Sequence, residues 1–238
     1  MKKCLISFVG LCRTFEKTAD NIFNNIIIPN MKYYNVDIVL NTDLICKDKE
    51  DQLFSIYNRY NQVKKINYSL LCGRTNGSFY ERFADLFLES ENVYDIYIIV
   101  RFDVIINKII NLNDYNNTLS IISGNFKRPC LFHNRDWDYI WISSRKPLYL
   151  FLPIFLSYNT DLSKKFIRIK EYENEFLLYD SKVKNCELDQ SIINEIYKKT
   201  NISGYYYNIG FSAIYILLLN NCKFILSEKY RIYSTIIR

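Results

Sequence analysis

Histidine is almost missing from this chain of 238 residues, His133 being the only one. A multi-histidine metal site is therefore excluded, and a zinc centre would need cysteines at ligand spacing. No CxxC pair exists; the seven cysteines (Cys4, Cys12, Cys46, Cys72, Cys130, Cys186, Cys222) stand singly. An odd count without a secretory leader predicts reduced thiols in a cytoplasmic compartment. Arg13 and Glu16 interrupt the apolar start too early for a signal peptide. GxGxxG is absent, so the dinucleotide fingerprint of a Rossmann fold is not supported. Long apolar runs are lacking too: those at 148–156 and 211–219 are too short to span a bilayer, and no transmembrane segment is expected.

What is present is ordinary for a soluble globular protein, with 49% hydrophobic and 24% charged residues. The length suits one domain over 1–238 with a substantial core. Tyrosine is abundant, but so are Ile, Asn and Lys, a compositional bias expected of an AT-rich genome. Net charge +6 permits attraction to phosphates, yet 25 acidic residues are interspersed among 31 basic ones without a long basic run. The one basic–aromatic stretch, Val63-Lys-Lys-Ile-Asn-Tyr68, is too little for a nucleic-acid surface, and no nucleic-acid partner is expected.

The stretch 94–106, YDIYIIVRFDVII, organises the rest. A near-continuous β-branched run predicts a central strand buried on both faces. Such a strand has no solvated side for charge, so Arg101 and Asp103 belong at its carboxyl end, where open α/β sheets bind ligands. Two readings stand side by side: an Arg–Asp ion pair closing a strand, or a carboxylate holding a divalent metal against a phosphorylated substrate.

Upstream, 4–9 predicts a strand ending at Gly10, with Arg13 at its mouth as a phosphate ligand or a surface arginine. A helix is predicted from Thr18 to Ile28, ended by Pro29, then a strand over 36–40 running into Thr42 and Asp43. A helix over 49–61, an exposed strand over 63–70 and an amphipathic helix over 78–90 complete a β-α-β-α-β-α-β order, which implies a largely parallel sheet. Downstream come a short strand at 119–122, an apolar strand or helix start after Tyr139, helices over 147–157 and 188–199, and a terminal strand over 223–232. His133 to Asp138 brings two carboxylates, Asp136 and Asp138, around Trp137, either a solvated loop with an Arg135–Asp136 pair or one side of a pocket. Glu171, Glu173 and Glu175 suit an acidic first helical turn.

Gly10-Leu-Cys-Arg13-Thr14-Phe15, Val36-Asp-Ile-Val-Leu-Asn-Thr42-Asp43 and Tyr94-Asp95 through Arg101-Phe102-Asp103 together resemble GT-A-type glycosyltransferases, small enzymes of large DNA viruses and of bacterial capsule or lipopolysaccharide synthesis. Asp138 ahead of Ile142-Ser143, and Glu175 ahead of Leu177-Leu178, look like further family positions. The resemblance covers roughly 4–180 and departs at Arg101, where most such enzymes have the first Asp of Asp-x-Asp. It implies one GT-A-like α/β domain with a mixed, mostly parallel sheet, its nucleotide-sugar half about 1–110 and its acceptor half about 111–238. The implied enzyme is a metal-dependent hexosyl- or deoxyhexosyltransferase, moving sugar from a nucleotide-sugar to a glycan or glycoprotein hydroxyl. Gly10, Arg13, Thr42, Asp43 and Arg101 would bind the donor, and Asp103 the Mn²⁺ or Mg²⁺. Asp138 is the expected base, with Asp136 and Glu175 behind it. A nucleotidyltransferase, or a degenerate nucleotide- or nucleic-acid-binding module, is the alternative.

Overall fold

The amino-terminal apolar run forms β1 (Lys2–Gly10) of a seven-stranded sheet in the computed structural model. The structure describes residues 1–60, 62–69, 86, 93–122, 140–157, 168–183, 188–200, 209–227 and 234–236. β1 pairs in parallel with β2 (Tyr34–Asp43) from Lys2 opposite Tyr34 to Gly10 opposite Thr42. On its other side β1 pairs in parallel with β4 (Ile96–Arg101), from Cys4 opposite Ile96 to Val9 opposite Arg101. β3 (Val63–Ser69) closes one edge beside β2. Beyond β4 lie β7 (Ile140–Ser144), β6 (Thr118–Ile122) and β8 (Lys223–Ser227), giving the order β3-β2-β1-β4-β7-β6-β8. β4 is thus the middle strand, and the predicted mixed, mostly parallel α/β sheet is what the chain forms.

Alternation along β1 and β4 explains why both strands lack a polar side. Cys4, Ile6 and Phe8 join Ile96, Ile98 and Val100 in one core, which also takes in α1 (Phe15–Ile22) and α2 (Glu50–Tyr57). Leu5 and Val9 join Tyr97 and Ile99 in the other core, under α3 (Arg145–Leu156), α4 (Glu173–Lys182), α5 (Gln190–Thr200) and α6 (Ile209–Leu219). α6 is almost wholly apolar and correspondingly buried, as a helix without a polar face must be. The edge strand β3 exposes Lys64 and Lys65, charges that discourage pairing with another chain.

Several expected boundaries move, each for a local reason. The 94–106 run is not one strand: the chain turns at Phe102–Asp103, and β5 (Val104–Ile106) pairs with β9 (Ser234–Ile236) in a separate two-stranded sheet. The turn arises because Phe102 drops into the core against the rings of Phe8 and Tyr57. The helix predicted over 18–28 begins at Phe15 and passes Pro29, continuing through a π-helical turn (Phe23–Ile27) to Asn30. The Asn25 carbonyl, whose α-helical partner would be the N–H that Pro29 lacks, accepts from Ile110 N–H at 2.8 Å. The helix predicted over 49–61 stops at Tyr57 and is preceded by a 3₁₀ segment, Leu44–Lys49. The segment after Tyr139 is strand β7, and the terminal strand is formed over Lys223–Ser227, the rest of its expected span lying outside the described residues. The helix predicted over 78–90 lies outside the described residues, except Leu86, which is helical and buried.

One expectation is overturned outright. Cys12 and Cys46 are joined as a disulfide, with Cα atoms 6.4 Å apart, where reduced thiols were expected. Spacing could not reveal it, because the partners follow different strands and meet only through the register of β1 and β2. Cys4 and Cys222 are buried free thiols, and burial raises both, Cys222 to about 11. Among the described residues no helix is long and apolar enough to cross a membrane.

Candidate functional site

Strand order fixes where a ligand would sit. From β1 the chain steps to β2 and then β3 on one side, and returns to place β4 on the other. Between β1 and β4 the connections therefore diverge. That switch point, beyond the carboxyl ends, is the general ligand position of open α/β sheets.

Gly10 stands at the end of β1 with φ +109, a conformation that L side chains rarely adopt, and a Cβ there would meet nothing within 4 Å. The glycine is needed for its backbone angle, not for lack of room. Arg13 follows, exposed and in no ion pair among the described residues. Thr14 caps α1 without a side-chain capping bond, and its Oγ1 is buried with no hydrogen-bond partner. A buried orphan hydroxyl at a helix start, beside a guanidinium, is a combination that an anion satisfies.

On β2, Thr42 and Asp43 serve the frame. Thr42 is fully buried and its Oγ1 donates to the Gly10 carbonyl at 3.0 Å, locking the glycine turn. Asp43 Oδ1 accepts from Ile45 N–H at 3.0 Å and so caps the 3₁₀ segment. Both were expected to touch the donor; Thr42 has no exposed surface to offer, and Asp43 spends one carboxylate oxygen on the 3₁₀ segment.

On β4, Arg101 Nε donates to Asp103 Oδ1 at 2.8 Å and Nη2 to Oδ2 at 2.6 Å, a two-pronged ion pair. The side chains are 26% and 16% exposed, so the pair is half-buried. Both Asp103 oxygens face a guanidinium, which is the ion-pair reading of this motif. Among the described residues no three His, Cys, Asp or Glu side chains gather to hold a metal ion. One carboxylate already neutralised by arginine does not fit a divalent cation, and the described donor set offers no second.

Glu175 is not part of this edge. It pairs with Lys146 at 2.9 Å, and the neighbouring Arg145 N–H donates to the carbonyl of Asp95, just ahead of β4. The six residues of β4 separate that end from Asp103 by roughly 20 Å. A base shared with Asp103 is therefore excluded for Glu175, which belongs to the acidic first turn of α4. Asp136 and Asp138, like His133, Arg135 and Trp137, lie outside the described residues. β7 does begin at Ile140 opposite Val100, so the chain enters β7 at the Asp103 edge.

No family model matches the chain, and no curated protein matches it significantly.

The residues that hold this edge in shape were the ones that sequence reasoning missed. Thr18 Oγ1 donates to the Phe102 carbonyl, clamping the turn that carries Asp103. Asn21 Nδ2 and Asn25 Nδ2 both donate to the Ile106 carbonyl, at 3.0 and 3.1 Å, and Asn21 Oδ1 accepts from Ile106 N–H at 2.6 Å. The available signal was a threonine and two asparagines (i, i+4) set among the buried positions Ala19, Ile22 and Ile26 of the first helix. Lys64 of the basic stretch pairs with Asp37 at 3.2 Å.

Proposed function

We propose that the chain is a glycosyltransferase that binds a nucleotide-sugar across the carboxyl ends of β1 and β4 and transfers its sugar to an acceptor hydroxyl on a glycan or glycoprotein. The observation that carries this reading is the mouth of β1: a glycine turn, the exposed Arg13, the orphan Thr14 hydroxyl and the start of α1. These groups suit a diphosphate, and the switch between β1 and β4 suits a nucleotide. The resemblance to GT-A enzymes supplies the reaction class.

Departure of a nucleoside diphosphate requires its developing charge to be met. Arg13 does so through paired N–H donors, and Arg101 adds a second cation when its bonds to Asp103 lengthen around the ligand. The described carboxylates do not form a site for a metal ion, so the two guanidiniums carry this charge. The acceptor's proton goes to a carboxylate, assigned to Asp138 with Asp136 behind it, because both precede the strand that starts at this edge.

The test is a thermal-shift and calorimetry panel of nucleoside diphosphates and nucleotide-sugars, each with Mn²⁺ and with chelator, followed by mass analysis of transfer products. One nucleotide should stabilise the protein and its sugar conjugate should be turned over. A panel in which nothing binds to the wild type disposes of the reading.

A further inference from the structure

We propose that the Cys12–Cys46 bond is a reversible redox latch that orders the two loops at the mouth of the sheet. Cys12 sits between the half-exposed Leu11 and the exposed Arg13, and is itself fully buried. Cys46 is the only buried residue of its 3₁₀ segment, flanked by Ile45 at 75% exposure, Leu44 at 43%, and exposed Lys47 and Asp48. Each cysteine is thus the anchor of a short, otherwise solvated loop. The Cys12 N–H donates to Cys46 Sγ at 3.4 Å, so backbone as well as sulfur ties the loops together. Behind them β1 and β2 pair over nine positions. Opening the bond therefore loosens the loops without dissolving the ladder.

Local order also governs access. Segments with one buried anchor open at small free-energy cost, and a brief opening bares either sulfur to an attacking thiolate. Cys4 and Cys222, by contrast, are held in strands and core, with thiols raised by burial, and are poor thiolates. The chemistry balances with a small-molecule disulfide such as oxidised glutathione. The thiolate of one cysteine attacks it, forming a mixed disulfide and releasing one glutathione thiolate. The second cysteine thiolate then displaces the other glutathione. Two protein thiols are oxidised, one glutathione disulfide is reduced to two thiols, and the two protons pass from the protein thiols to the released glutathione thiolates. Loop order is what the bond controls, so the latch operates whatever ligand the mouth of β1 accepts.

The full chain is equilibrated in glutathione buffers from reducing to oxidising, acid-quenched, alkylated and mapped by peptide mass, with amide exchange measured in each buffer. Cys12 and Cys46 should lose alkylation together, with one midpoint inside the glutathione range. Amides of 44–49 should exchange about tenfold faster in the reduced form, while those of β1 stay protected in both. A Cys12→Ala/Cys46→Ala variant should exchange fast in either buffer; if it does not fold, the two wild-type forms decide alone. Failure to form the bond at the oxidising end, survival of the bond at the reducing end, or equal exchange in both forms overturns the latch.

Discussion

At its carboxyl end β4 delivers Arg101 and Asp103, which bond each other twice. At its amino end Asp95 accepts from the Arg145 N–H, while the Arg145 side chain pairs with Glu171, lies 4.8 Å over the Tyr149 ring and reaches the Tyr97 hydroxyl. The amino end lines a cavity of about 350 Å³, but its polar groups are matched: Lys146 answers Glu175, Lys3 N–H answers the Asp95 carboxylate, and Tyr97 answers Tyr149. The carboxyl end is matched only in its frame. Thr18, Asn21, Asn25 and Thr42 fix the backbone, yet Arg13 stays exposed and the Thr14 hydroxyl has no partner. Rigid backbone with unmatched polar groups is how binding edges differ from structural ones.

The largest effect that would sharpen this contrast comes from the disulfide, a tie present at the carboxyl end and, among the described residues, only there. Closing a 34-residue separation stabilises the folded chain by about 4 kcal/mol in the chain-entropy account. Urea unfolding with and without reductant should show a loss of that order. A loss below about 1 kcal/mol would mean that the bond adds little to the frame.

Next comes the Arg101–Asp103 pair. Arg101→Met keeps the length of the side chain but strands a half-buried carboxylate, and should cost about 2–3 kcal/mol. Arg101→Met with Asp103→Leu should recover most of it, since removing both partners is far milder than orphaning one. Denaturant midpoints of the three proteins read this directly. A double variant no better than the single one would break the comparison, showing that Asp103 is held by other contacts.

How far the sequence announced these two ends differs as well. β1, β2 and β4 were legible because residues buried on both faces leave unbroken apolar runs, and the parallel order followed from the helical crossovers. The break at Phe102 was not legible, since Val104 to Ile106 continues the same apolar chemistry and only the ring packing of Phe102 against Phe8 and Tyr57 separates them. Pairing is the general obstacle. Arg101 with Asp103 are two residues apart and could be read as a pair, whereas Cys12 with Cys46, Thr18 with Phe102 and Lys146 with Glu175 are joined only by the fold. Glu175 was assigned to the wrong end for that reason.

Arg13 tests function without touching stability. Its guanidinium contributes no ion pair among the described residues, so Arg13→Ala should leave the unfolding midpoint unchanged. Affinity for the nucleotide found in the ligand panel should fall by about 1–3 kcal/mol, the scale of a charge-assisted bond. Unchanged affinity by calorimetry would make Arg13 an ordinary surface arginine and leave the carboxyl edge without its cation.

The smallest effect is expected at the amino end. Arg145 Nη2 donates to Glu171 Oε2 at 2.9 Å, but the Glu171 side chain is 53% exposed. The hydrogen bond from Arg145 holds the Glu171 carboxyl below its usual range, with its slight burial acting the other way. A carboxyl depressed in the folded state contributes stability above its unfolded pKa of roughly 4.3, and that contribution is lost as pH falls through the folded value. Glu171→Gln should therefore cost under about 1 kcal/mol at pH 7, and the two proteins should converge toward pH 3. High salt should shrink the gap further, because a pair this exposed is screened. The loss is small because Arg145 keeps its other supports, the Tyr149 ring and the Tyr97 hydroxyl, when the carboxylate is neutralised. A gap that persists at pH 3, or exceeds about 2 kcal/mol at pH 7, would mean that Glu171 anchors Arg145 over the tyrosines. The amino end would then depend on a single contact, as the carboxyl end depends on Arg101.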